Sequence, residues 1–223
     1  MCSDVVTAKR RKAPVAASPA PLGKQALKTK RTREKIISAV VSLIKEGGYS
    51  HATSSRIAER AGITWGAAQH HFGNKEEILE AVMALAHERF AQRMADPALR
   101  AGTLAQRVDL FLDSMWAHYQ DDAYLAMLEI LLATRGFHEE APPNWEDRFS
   151  RDPLVSLREI FADVKLDEAG AREILTFAHC FLTGLTIERV FEQKVRNTPR
   201  YLQRIQQTVL AMLKGDPPRF GDA

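Results

Sequence analysis

The sequence has few of the features that mark secreted, membrane-spanning or disulfide-bonded proteins. Its 223 residues include only two cysteines, Cys2 and Cys180. No apolar run approaches the ~18 residues of a membrane span, and the N-terminus lacks the continuous apolar segment of a signal peptide. We therefore expect a cytoplasmic chain with no disulfide framework and no membrane partner.

Clustered catalytic groups are also missing from the sequence. We find no partnered nucleophile, glycine-rich phosphate loop or set of metal ligands at the usual spacing. His118 beside Asp121 and Asp122 could look catalytic, but solvated charges at a helix end explain these residues better. His70 and His71 are neighbours, which point in different directions on a helix, so a metal site is disfavoured. We expect no enzyme activity, no catalytic residue, no metal and no cofactor.

Charge is distributed unevenly along the chain. Residues 1–75 hold 14 Lys and Arg against 4 Asp and Glu, whereas residues 76–223 hold 17 against 24. Such an imbalance predicts that the N-terminal part binds a polyanion. No alternating strand pattern is present, and apolar residues recur at helical spacing, so the predicted fold class is all-α.

The stretch from Ser54 to Lys75, SSRIAERAGITWGAAQHHFGNK, reads as two short helices broken at Ala61-Gly62-Ile63. Ile57 and Ala58 lie at inward-facing spacing, and glycine suits the tight turn. Thr64 is placed to cap the second helix, which leaves the positive end of that helix facing outward. This pattern is typical of a helix-turn-helix.

From Arg31 to Leu79 the chain resembles the DNA-binding domain of TetR-family transcriptional regulators. The shared features are a first helix, the Gly47-Gly48-Tyr49 break, the helix-turn-helix, and HHFGNKEEIL where the family carries an aromatic-rich segment before a Lys-Glu-Glu helix start. The resemblance implies a three-helix DNA-binding domain followed by a helical ligand-binding and dimerisation domain. We divide the chain into a disordered basic arm (1–30), a helix-turn-helix domain (31–75) and a helical domain (76–215).

Helix boundaries follow from caps and apolar periodicity. We predict helices over 32–46, 54–60, 65–72 and 75–94. The next helices start at Leu104, after a Thr103–Gln106 capping box, and cover 123–134. A further helix follows Asp152-Pro153 and ends at Val164, and the last two run from Asp167 to Gln193 and from Thr198 onward.

The resemblance and the residue types together suggest which side chains contact DNA. Gln69 can pair with a base edge, Gly66 admits close approach, and Thr53, His71 and Lys75 can bind phosphate oxygens. The full set is Arg31, Arg33, Thr53, Ser55, Thr64, Trp65, Gly66, Gln69, His70, His71 and Lys75. The arm is either a plain leader or a source of phosphate contacts, which we favour only over 28–33. Trp65 and Gln69 depart from the family's usual residues, so a base preference does not transfer.

The resemblance also implies a ligand pocket and a dimer interface in the C-terminal domain. The ligand candidates are Phe111, Met115, Trp116, Tyr119, Met127, Leu131, Trp145, Phe149 and His179. The interface candidates are Phe177, Phe181, Gly184, Leu185, Glu188, Tyr201, Ile205, Thr208, Val209 and Met212. For each set, ordinary core packing is the alternative.

By resemblance, the expected function is that of a homodimeric repressor that binds a palindromic double-stranded DNA operator. A small, mostly apolar effector would release the repressor from DNA. The alternative is a helical DNA-binding protein without an effector.

Overall fold

Helices account for all the regular structure of the described part of the chain. The computed structural model describes residues 23–135, 153–192 and 195–215. The helices are α1 (Lys24–Gly47), α2 (Ser54–Ala61), α3 (Trp65–Phe72), α4 (Lys75–Met94), α5 (Leu104–Tyr119), α6 (Asp122–Thr134), α7 (Pro153–Ile160), α8 (Glu168–Glu192) and α9 (Thr198–Leu213), with short 3-10 turns at Tyr49–His51 and Pro97–Arg100. The predicted all-α fold is confirmed.

Two hydrophobic cores organise the molecule, and α6 contributes to both. The N-terminal core packs α1 to α4 around residues such as Ile57 and Phe72. The C-terminal core packs α5, α7, α8 and α9 around residues such as Phe111. Ala126 and Ile130 of α6 belong to the first core, whereas its Tyr124 and Met127 belong to the second. The same short helix therefore joins the two halves of the fold.

The first helix begins earlier than the sequence analysis predicts. It starts at Lys24 rather than Thr32, so residues 24–30 of the predicted disordered arm are helical. The segment KQALKTK contains neither proline nor glycine and is rich in good helix formers, so it extends the helix toward the N-terminus. Residues 1–22 lie outside the described residues.

The predicted caps of the C-terminal domain are present. Thr103 Oγ1 accepts the Gln106 backbone N–H at 3.3 Å, and Gln106 Oε1 accepts the Thr103 N–H at 2.9 Å. Asp167 Oδ1 accepts the Gly170 N–H at 2.8 Å. Helix α7 begins at Pro153, in keeping with the tolerance of proline in a first turn. It ends at Ile160 rather than near Val164.

Helix α8 has the length and mean hydropathy of a membrane span, although its apolar residues do not form one uninterrupted run. Its 25 residues include a window of mean hydropathy 1.3, of which 22% is buried in the structure. His179, Thr183 and Gly184 interrupt its apolar residues, and the charged Glu188 and Arg189 follow near its C-terminal end. One side of α8 packs against α5, α7 and α9. By length and composition alone, this helix could cross a membrane.

Candidate DNA-binding surface

Glycine closes the turn of the helix-turn-helix. Gly62 has φ +66° and ψ 37°, a left-handed conformation that favours glycine. Its N–H bonds the Glu59 carbonyl, and the Ile63 N–H bonds the Ala58 carbonyl, each at 3.0 Å. These two bonds complete a Schellman motif at the end of α2. The chain then turns directly into α3, as the sequence predicts.

Side-chain caps start both helices that follow this turn. Thr64 Oγ1 accepts the Ala67 N–H at 3.2 Å, and Asn74 Oδ1 accepts the Glu77 N–H at 2.8 Å. Each cap satisfies one backbone donor in the first turn and leaves others exposed. The exposed donors and the helix dipole make these termini favourable places for phosphate oxygens.

Helix α3 separates a buried face from an exposed one. Ala68 and Phe72 are buried in the N-terminal core, whereas Gly66, Gln69 and His70 are exposed. No atom lies within 4 Å of the position that a Cβ would take at Gly66, so the helix surface is open there. The exposed face offers an amide, an imidazole and an accessible backbone to a DNA groove.

The remaining α3 candidates are only partly exposed. Trp65 packs against the N-terminal core, and His71 lies next to the buried Phe72. The rings of His70 and His71 are 5.7 Å apart and tilted by 58°. Among the residues that the structure describes, no group of three or more His, Cys, Asp or Glu side chains could hold a metal ion.

The first residues of α2 and α4, the helices before and after α3, carry further polar groups. Thr53 caps α2, and its hydroxyl lies 3.3 Å from that of Ser55; both residues are exposed. At the start of α4, the Lys75 ammonium lies 4.8 Å from the centre of the Tyr49 ring. This distance is within the range of a cation–π contact, which restrains the lysine.

Arg33, one of the predicted DNA contacts, also bonds within the protein. Its guanidinium donates to the His71 carbonyl at the end of α3 and lies 3.7 Å from the centre of the Phe72 ring. A cation at a helix C-terminus is favoured by the helix dipole. Arg33 therefore links α1 to α3, and its contact with DNA stays a prediction. Arg31, in contrast, is exposed on α1.

An ion pair fastens α1 to α2. The Arg60 guanidinium donates to both Glu46 carboxylate oxygens, at 2.7 and 2.8 Å, and to the Ser42 hydroxyl. The hydrogen bonds from Arg60 and then from Ser42 lower the pKa of Glu46 from 4.5 to about 2. This exposed pair joins α1 to the first helix of the helix-turn-helix.

The ligand candidates divide into buried and accessible residues. Phe111, Met115, Tyr119 and Met127 are at most 7% exposed and belong to the C-terminal core. Trp116 and Leu131 are partly buried, and His179 is exposed. Trp145 and Phe149 lie outside the described residues. An open groove of about 670 Å³ lies between α1 and the end of α2, and none of the ligand candidates lines it.

A ring cluster where α4, α5, α6 and α8 meet includes residues that the sequence analysis missed as ligand candidates. The His118 ring lies 4.9 Å from that of Phe90 and 4.8 Å from that of Tyr124, centre to centre. Its Nδ1 is buried without a hydrogen-bond partner. Tyr119 Oη lies 2.5 Å from His179 Nδ1. These residues lie on four helices that are separated in sequence, so no local pattern predicted that their rings meet.

Burial governs the protonation of this cluster. Loss of hydration lowers the pKa of His118 from 6.5 to about 4, although nearby Asp121 opposes the shift. Burial, followed by the neighbouring Tyr124, raises the pKa of Tyr119. Both groups are therefore neutral at physiological pH, so the cluster offers uncharged hydrogen-bonding groups among ring faces.

Three predicted interface residues belong instead to the core of the chain itself. Leu185, Ile205 and Val209 are buried against α5 and the rest of the C-terminal core, so for them the alternative of core packing holds. Gly184, Glu188 and Tyr201 are exposed, whereas Phe177, Phe181, Thr208 and Met212 are partly buried. Apolar spacing alone did not distinguish the inward side of these helices from the outward side.

The exposed side of α8 continues beyond the predicted residues. Ile187 is 38% exposed, Val190 59% and Phe191 80%. Phe181, Gly184, Ile187 and Phe191 lie on one side of α8 and form an apolar stripe that also contains Glu188, whereas Val190 lies on the side opposite Phe181. Large exposed apolar groups in such a row favour association with another surface.

Comparison with known proteins connects the N-terminal domain to a family. Residues 36–82 match the family described as bacterial regulatory proteins, tetR family. The chain is 43% identical over 61 residues to the HTH-type transcriptional regulator SrpR of Pseudomonas putida, covering 27% of this chain and 29% of that protein. It is 30% identical over 103 residues to the fatty acid metabolism regulator protein of Bacillus subtilis (strain 168), covering 46% of this chain and 53% of that protein.

The whole described fold is similar to that of a solved structure. A putative TetR-family transcriptional regulator from Mesorhizobium loti MAFF303099 superposes with a TM-score of 0.68 at 17% identity, over 84% of this chain and 98% of that chain. At this identity the similarity concerns the fold. The chain spans about a third to half of the length of the two relatives that it matches in sequence.

Proposed function

We propose that the protein is a sequence-specific DNA-binding transcriptional regulator, because residues 36–82 match the family described as bacterial regulatory proteins, tetR family. The observation that carries this proposal is the capped α2–α3 unit with its exposed Gly66, Gln69 and His70. In this proposal α3 enters the major groove. Thr53, Ser55 and Lys75 bind the phosphates on either side, and exposed lysines of α1 add affinity that depends on salt.

We further propose that the regulator acts as a homodimer on a palindromic operator. The exposed apolar stripe of α8 supports this, since a second copy would cover Phe181, Ile187 and Phe191. Two α3 helices about 34–36 Å apart would then enter successive major grooves. We propose that this dimer acts as a cytoplasmic repressor, with no enzyme activity and no cofactor.

A small, mostly apolar effector is proposed to release the DNA. The ring cluster around His118 and Tyr119 supports such a ligand, because ring faces favour apolar area and both of these side chains are uncharged. Effector release would follow if the ligand binds better to a state in which the two α3 helices are too far apart.

A regulator without an effector is the second candidate. The burial of Phe111, Met115 and Tyr119 in the core favours it, since these side chains already pack against the protein. A screen of apolar and charged compounds that records both thermal shift and DNA release separates the two. Compounds that raise the melting temperature and release DNA support the effector; their absence from an apolar library supports the second candidate.

Selected-site sequencing tests the proposed function. The wild-type chain should enrich one palindromic duplex from a random library. Gln69→Ala should relax the preference at one position, with a loss of about 1–3 kcal/mol for a good base contact. Lys75→Ala should weaken all duplexes alike, because a phosphate contact carries no sequence information. Enrichment of no sequence by the wild type would contradict the proposal.

A further inference from the structure

One carboxylate of the C-terminal domain reaches into the DNA-binding domain. Glu129 on α6 accepts the Tyr49 backbone N–H at 2.9 Å, across 80 residues of sequence. The bond is partly buried, and hydrogen bonds to a charged acceptor are stronger than neutral ones. A second link, the Lys45–Asp122 ion pair at 2.8 Å, has side chains 63% and 45% exposed. Exposed pairs contribute little, so the Glu129 contact is the more specific of the two.

The backbone at this point is shaped to receive the carboxylate. Gly48 has φ +77°, and a Cβ there would lie 3.1 Å from Glu129 Oε2. Glycine thus both permits the turn and leaves room for the oxygen. The carboxylate lies beside the C-terminus of α1, where the helix dipole disfavours an anion. The donated Tyr49 N–H compensates for this at the start of the 3-10 turn.

The Tyr49–His51 turn that Glu129 holds contacts residues at the starts of both α2 and α4. On one side, the Thr53 N–H bonds the His51 carbonyl at 2.9 Å, and Thr53 caps α2. On the other side, the Tyr49 ring carries the Lys75 ammonium at 4.8 Å. Thr53 and Lys75 are the phosphate contacts proposed above, so the turn connects one acid to both of them.

We infer that Glu129 is a positioning residue for DNA binding. It acts from the C-terminal domain by fixing the Tyr49–His51 turn, which sets the start of α2 and the direction of Lys75. The inference rests on the proposed function. It gives α6, whose Tyr124 and Met127 pack in the C-terminal core, a direct route to the phosphate contacts.

The sign of the effect separates this role from simple electrostatics. Glu129→Gln removes a negative charge, and a less acidic protein binds DNA more tightly if charge alone matters. If Glu129 positions the phosphate contacts, Glu129→Gln should instead bind DNA more weakly. The probe is the duplex that the wild-type chain enriches from a random library, with a scrambled duplex of the same composition beside it. Affinity for both duplexes should fall about tenfold, equivalent to ~1.4 kcal/mol, because Thr53 and Lys75 contact phosphates, which carry no sequence information.

Matched variants make the comparison strict. Glu173→Gln removes an equal charge from the exposed surface of α8 and serves as the control. Glutamine at 129 keeps the side-chain size and an acceptor oxygen, so the variant should fold, and its thermal midpoint checks this. Faster hydrogen exchange of the Tyr49 amide in Glu129→Gln reports the loosened turn directly, without reference to DNA.

Double-mutant cycles identify the route. The effect of Glu129→Gln should shrink in a Lys75→Ala background, because both act through Tyr49. It should stay unchanged in an Arg31→Ala background, since Arg31 lies 18 residues before Tyr49, near the opposite end of α1. If Glu129→Gln binds the enriched duplex as tightly as Glu173→Gln does, the positioning role is wrong while the regulator function stands. If the wild type enriches no duplex, both are wrong.

Discussion

Acidification should destabilise this protein through His118. Its side chain is 6% exposed, and burial lowers its pKa from 6.5 to about 4. The charged groups around it are Asp121, which raises the pKa, and Arg93, which lowers it, as do His87 and His179. The unfolded chain takes up a proton below about pH 6.5, whereas the folded chain excludes it until about pH 4. The stability that this group contributes is therefore complete above pH 6.5 and is lost as pH falls from 6.5 toward 4.

The size of the effect follows from the pKa difference. At pH 5 the solution is about 1.5 units below the pKa of the unfolded state, and each unit corresponds to about 1.4 kcal/mol. His118 should thus lower the free energy of unfolding by about 2 kcal/mol between pH 7.5 and pH 5. Most carboxylates remain ionised over this range, so the imidazole dominates the difference between wild type and a variant that lacks it.

Urea unfolding at a fixed protomer concentration measures this contribution. His118→Phe keeps a ring beside Phe90 and Tyr124 but removes the titrating group. The wild type should lose about 2 kcal/mol relative to this variant on acidification to pH 5. Phe90→Leu disturbs the same cluster and retains the imidazole, so it should keep the wild-type pH slope. Parallel pH curves for wild type and His118→Phe would refute the reasoning.

Three further expectations follow from other parts of the structure. Gly62→Ala should lower the free energy of unfolding, measured in urea, by about 1 kcal/mol because Gly62 has a φ of +66°. Gly66→Ala should raise the free energy of unfolding, since Gly66 lies inside α3 with open space around it. Equal effects of the two substitutions would contradict this reasoning. Since the pKa of Glu46 is lowered to about 2, the stability advantage of wild type over Glu46→Gln should be present above pH 4.5 and vanish as pH falls toward 2. Dimer formation should require Phe191, which is 80% exposed. Light scattering should show a larger species for wild type than for Phe191→Lys. A wild-type species of 25.0 kDa would exclude the dimer.

The sequence by itself determined most of the local structure. The hydrogen bonds of Thr64, Asn74 and Thr103 join residues three apart, so their partners could be read along the chain. The left-handed turn at Gly62 was predictable for the same reason, since only one residue type suits it well. Charge asymmetry and the helix-turn-helix pattern likewise indicated DNA binding without any tertiary information.

The tertiary structure decided what each side chain faces. Arg33 reads as a phosphate contact in sequence, but it also donates to the carbonyl of His71, 38 residues away. Glu129 gives no sequence signal, because its partner Tyr49 is 80 residues away.

The same limit applies to the outer helices. Apolar residues recur on more than one face of α8 and α9, and periodicity could not show that Val209 packs inward while Phe191 is exposed. Such assignments depend on the packing of distant segments, which local propensity and spacing do not encode.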